Sequence, residues 1–226
     1  MISDLLIQNK ELLKAIYGLT IVSISALIFL RADRFFKLSD HQGIRYFRNA
    51  FFFYGAGFFS KFILLKLQNP LPEYDQAFFE VVGILANFLI LLASFFLLYS
   101  LIWRKIEKEK NYHSVLNLKM IPLYFTAAIV IYIDASFRGF FEISQVVIFA
   151  TMCFISFEKV IKSNFKKESS AYLITILMGL LTAIFSYLSL IGPSWWGRVD
   201  HLYVYIPESA FFLAFLILAY RMTRIR

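Results

Sequence analysis

The sequence predicts an all-α membrane protein, and three observations carry the prediction. The chain is 60% apolar, with 27 Phe and 13 Tyr in 226 residues, beyond the roughly half-apolar usage of water-soluble domains, whose surfaces need polar cover. Apolar runs of about 18 to 25 residues recur along it, each long enough at ~1.5 Å per residue to cross a hydrocarbon core of ~30 Å. The strict alternation of barrel strands is missing, and in lipid only helices or closed barrels satisfy every backbone amide. Seven runs emerge, at 12–31, 44–66, 77–103, 118–137, 139–162, 171–192 and 203–221, read as one transmembrane domain over 1–226.

The first run follows Asp4 and Lys10 and has no small-residue cleavage site after it, so it is expected to remain as a span and not to leave as a signal peptide. The second opens at LSDHQ, where Ser39 and Gln42 have the spacing of a capping box. Arg45, Arg48 and Asn49 then share one helical face. They either snorkel to anionic headgroups or form a gate in which Arg48 pairs with Glu158 of the fifth helix. Further along, Tyr54, Gly55 and Gly57 permit close helix contact, and Lys61 is expected to bridge to Glu80, since short loops make consecutive helices neighbours.

The third run carries Glu80 in its first turn, Asn87 one to two turns deeper, and Trp103 at its far end, suited to an interfacial belt. Residues 118–162 as a single helix would measure ~67 Å, about twice the membrane. The segment must fold back, and Gly139 is the natural point because it tolerates the left-handed conformation that ends a helix. In the stretch YIDASFRGFFEISQ this hairpin sets Asp134 and Glu142 at similar depth on adjacent helices, with Arg138 at the apex able to pair with either as a clasp at the membrane surface, and Gln145 deeper. Cys153, the lone cysteine, lies mid-helix and reads as a small buried hydrophobe. Trp195 and Trp196 precede the seventh run, which begins near Pro207 and Glu208.

The charges set an expected orientation. With seven spans and the N-terminus outside, 17 basic residues fall on the inner side and 6 on the outer, the asymmetry of the positive-inside rule. The net charge of +8 then reflects topology and contact with anionic membrane lipids, and argues against nucleic-acid binding. The expected location is a prokaryotic cell membrane. Glutamates in the first turns of helices three and seven, each followed by FLIL, suggest a parallel 3+1+3 repeat, a layout from which transporters are built.

Carboxylates in a bilayer are costly and turn toward partners or wet cavities. Glu80, Asp134, Glu142 and Glu208, joined by Asn87, Arg138 and Gln145, are therefore expected to form an outward-facing polar vestibule, with Arg45, Arg48, Glu158 and Lys61 in gating or ion-paired roles. That points to a transporter or channel for a cation or small polar solute. The alternative is a receptor that signals through a protein partner at its basic inner loops; in layout the chain resembles the seven-helix sensory modules of microbial signalling proteins. A homo-oligomer fits either reading. No cofactor is expected: helix seven has no lysine for a retinal Schiff base, and His41, His113 and His201 all lie at helix ends or in loops, which disfavours haem or catalytic zinc. No phosphate-binding loop or nucleophile elbow is present, so enzymatic activity has no support.

Overall fold

The computed structural model describes residues 10–64, 76–106, 120–162, 167–191 and 202–224. Among them it contains helices and turns and no strand. The helices are α1 (Lys10–Ser39), α2 (Gln42–Phe59, continuing as a π-helical turn over Ser60–Leu64), α3 (Gln76–Ile106), α4 (Ile121–Ser136), α5 (Phe140–Lys162), α6 (Lys167–Ile191) and α7 (Leu202–Arg224). Each apolar run of the sequence overlaps one of them, although α1 continues past the first run to Ser39. Four stretches, Ala15–Ser39, Ala77–Trp103, Phe140–Lys162 and Ala171–Leu190, are long and apolar enough to cross a membrane, whereas α4 and α7 are apolar over shorter lengths.

Six helices form a closed ring. α1 packs against α2, α2 against α3, α3 against α5, α5 against α6, α6 against α7, and α7 back against α1. α4 lies outside, in the corner between α3 and α5, and buries only Ala127 and Ile131 along its length. Large apolar side chains such as Phe125, Phe154, Leu181 and Ile217 stay exposed on the ring's outer surface, a distribution that suits hydrocarbon as solvent.

α2 is the most enclosed helix, with ten residues buried between Gly43 and Phe58. Gly57 explains its closeness to α3, because a Cβ there would lie 2.7 Å from Ile90 Cγ1 and 3.1 Å from the Ala86 carbonyl oxygen. The rings of Phe47 and Phe51 meet Phe215 of α7 at 5.6 and 5.1 Å between centroids, and Phe51 meets Phe212 edge-on at 6.2 Å. Edge-to-face pairs such as Phe51–Phe212 and Phe51–Phe215 add about 0.5–1.5 kcal/mol each beyond area burial, so these rings fasten α2 to α7.

Two turns are defined by backbone conformation. Gly139 has φ of 101°, and Asp134 Oδ1 accepts hydrogen bonds from the backbone N–H groups of Gly139 (3.1 Å) and Phe141 (3.0 Å). Asp134 thereby caps the first turn of α5, whose amides lack helical acceptors. Between α1 and α2, Asp40 has φ of 48°, which Asp tolerates better than most residues. The expected capping box does not form. α2 begins after His41 with no side-chain cap, and Ser39 Oγ instead donates to the Phe35 carbonyl at 2.9 Å, because α1 runs on through Ser39.

Candidate functional site

A cavity of about 80 Å³ lies within the ring toward the end that bears Gly139. Four helices supply its polar wall: Tyr54 from α2, with Lys61 from the π-helical turn that extends it; Glu142 and Gln145 from α5; Thr182 and Ser186 from α6; and Glu208 from α7. Phe149, Phe211 and Phe212 complete the apolar wall. The π-helical turn matters because it continues α2 past Phe59, carrying Lys61 to the rim, where it is exposed. Glu142 and Gln145 are three residues apart on α5 and so share a face. Glu208 and Phe211 repeat that spacing on α7.

Hydrogen bonds tie this wall to the rest of the ring. The Tyr54 hydroxyl lies 2.8 Å from Ser94 Oγ of α3, and Ser94 Oγ lies 2.8 Å from Gln145 Oε1, to which it donates. Tyr54 as donor to Ser94 completes a chain across α2, α3 and α5, in which the Ser94 hydroxyl also lies 3.2 Å from the Ile90 carbonyl oxygen one turn back. All three residues are buried. The carboxamide nitrogen of Gln145, on a side chain only 7% exposed, has no hydrogen-bond partner among the described residues. From α1 the Tyr17 hydroxyl donates to Glu208 Oε2, fastening α1 to α7.

The structure thus brings Glu142, Gln145, Glu208 and Lys61 to the cavity, with Asp134 and Arg138 outside its lining but within electrostatic reach of Glu142. Glu80 is exposed on α3 and Asn87 is half-buried; neither lines the cavity. Lys61 faces the cavity, so the expected Lys61–Glu80 bridge gives way to Glu142 and Glu208 as its neighbours there. Asp134 is turned to the backbone of the α4–α5 hairpin, and Arg138 is exposed at the apex.

At the opposite end the expected gate pairing is replaced by another. Arg48 Nη1 donates to Asp33 Oδ1 of α1 at 2.6 Å, Lys37 Nζ reaches Asp33 Oδ2 at 2.8 Å, and Arg48 also bonds Asn49 Oδ1. Glu158 pairs with Lys162 one turn along α5. The cause is local: α2 folds back on α1 through a tight turn, which puts Asp33 opposite Arg48. Arg45 is 2% exposed, donates to Gln42 Oε1 at 3.1 Å and lies over the Tyr46 ring, so it is held within the bundle and does not snorkel.

Sequence reasoning missed Tyr17, Asp33, Ser94, Thr182 and Ser186. A hydroxyl in a hydrophobic run was the available signal, though 13 tyrosines gave no way to choose Tyr17. Among the described residues no three His, Cys, Asp or Glu side chains gather in a way that could hold a metal ion. No family model matches the chain, and no solved structure does. The chain is similar to an uncharacterized protein of Archaeoglobus fulgidus, 32% identical over 102 residues, a match that covers 42% of this chain and 45% of that protein, and so spans less than half of the relative's length.

Proposed function

We propose that the chain crosses a prokaryotic cell membrane seven times, N-terminus outside, and moves a small polar solute or cation through the cavity between α2, α5, α6 and α7. One observation carries this reading: two carboxyl groups, a lysine and a carboxamide, contributed by α5, α7 and the π-helical end of α2, meet around one cavity inside a largely apolar ring. Ionisable groups at membrane depth are costly and mark solute or ion pathways. The basic residues favour the orientation. A 3+1+3 repeat accords with α4 lying outside a ring made of α1–α3 and α5–α7. Membrane lipids are the surrounding partner.

Proteoliposome flux tests the reading. Initial rates are measured for sodium, potassium, methylammonium, ethanolamine and glycine. Glu142→Gln and Glu208→Gln are each expected to lower the rate of the transported probe about tenfold, the ~1.4 kcal/mol expected of a charge-assisted contact. Variants that match wild type for every probe would sink the proposal.

A second reading is a receptor signalling through an inner-side partner, and the rings of Phe47, Phe51 and Phe215 favour it, since they pack as one buried cluster behind Phe212 of the cavity wall. Saturable binding of a probe by the purified protein, with no flux of that probe in proteoliposomes, selects the receptor.

A further inference from the structure

We infer that the cavity takes a small primary ammonium compound with a hydrogen-bond-accepting oxygen on a neighbouring carbon, the chemistry shared by short amino alcohols and the smallest amino acids. The inference rests on the reading that the cavity binds a solute, and narrows its class.

Size comes first. At about 80 Å³ the cavity is roughly half the ~150 Å³ that admits benzene in an engineered apolar site, so the part of an occupant that enters it has few heavy atoms. Charge comes second. Glu142 and Glu208 outnumber the single lysine of the lining, and the rings of Phe58, Phe141 and Phe211 beside them offer the faces that attract cationic groups. A lone small anion finds two carboxyl groups and fits poorly.

The third argument comes from Gln145. Its carbonyl oxygen accepts from Ser94, and its nitrogen has no partner among the described residues although the residue is only 7% exposed. Buried donors are nearly always satisfied. A bare alkali cation has nothing to accept from this nitrogen, and methylammonium has only further donors. An ammonium compound with an accepting oxygen engages the carboxylates at one end and the carboxamide at the other.

The experiment is thermal unfolding of the purified full chain in lipid nanodiscs at constant ionic strength, with ethanolamine, glycine, methylammonium, acetate, urea or sodium added at equal concentration. A ligand that binds the folded state raises Tm. Ethanolamine, glycine or both are expected to raise it by about 2 °C or more, with methylammonium giving less than half that shift and acetate, urea and sodium none. Whichever of the first two acts separates amino alcohol from amino acid. Gln145→Glu keeps an acceptor for Ser94 and removes the N–H groups. It is expected to abolish the advantage over methylammonium, while Glu208→Gln weakens binding of the active amine about tenfold. Equal shifts with methylammonium, or an advantage that survives Gln145→Glu, would overturn the inference. Stabilisation by sodium or urea with silence from the amines would overturn it and leave solute binding standing. Silence from every probe, with flux unchanged in Glu142→Gln and Glu208→Gln, would overturn both.

Discussion

A serine hydroxyl accepts one hydrogen bond while donating another, and Ser94 does both between Tyr54 and Gln145. Ser94→Ala strands a buried phenol and a buried carbonyl, each worth about 1–3 kcal/mol when left unpaired, so a drop in Tm of several degrees is expected; a change within error would show that the chain is not cooperative. Arg48 is the contrasting case. Its partner Asp33 also holds Lys37, so Arg48→Met leaves the carboxylate paired and is expected to cost only about 1–2 kcal/mol, with a double-mutant cycle against Asp33→Asn recovering most of it. Glu142, Gln145 and Glu208 were legible in the sequence because charge and amide groups stand out in apolar runs. Asp33 was not, because the first apolar run stopped at residue 31 while α1 continues to Ser39, and Arg48 was therefore assigned to a distant glutamate instead of the acid 15 residues before it.

At the scale of elements, the α4–α5 hairpin follows from length alone, since no single helix of that extent fits a membrane. Its turn makes a sharp prediction. Gly139→Ala forces a side chain into positive φ and sets its Cβ 2.7 Å from Leu190 Cδ2, and is expected to cost on the order of 1–3 kcal/mol. Gly83→Ala, mid-helix with nothing within 4 Å of the added carbon, is expected to be neutral or to stabilise by up to about 1 kcal/mol. Comparing the two melting temperatures checks both. The rotation of α3, by contrast, was hidden. Phe79, Val82, Ala86 and Ile90 face the core while Phe78, Val81, Ile84 and Leu85 are exposed, and with lipid on one side and protein on the other both faces are apolar. Periodicity then gives no inward direction, and Glu80 falls on the exposed side.

For the molecule as a whole, the order of helices around the ring was beyond the sequence, because any apolar helix can pack on any other; the helix count was within reach because span length is set by the bilayer. Orientation is open to direct measurement. In a Cys153→Ala background, Arg138→Cys is expected to react with an impermeant maleimide added outside intact cells, and Ser39→Cys only after permeabilisation; the reverse pattern would invert the proposed topology. The contact between Tyr17 and Glu208 joins residues 191 positions apart. α7 is synthesised after the other six helices, so the ring can close only once it arrives. Until then the ring stays unclosed, and any quality-control factor that senses a gap between α1 and α7 would be inspecting a junction whose Glu208 also lines the cavity.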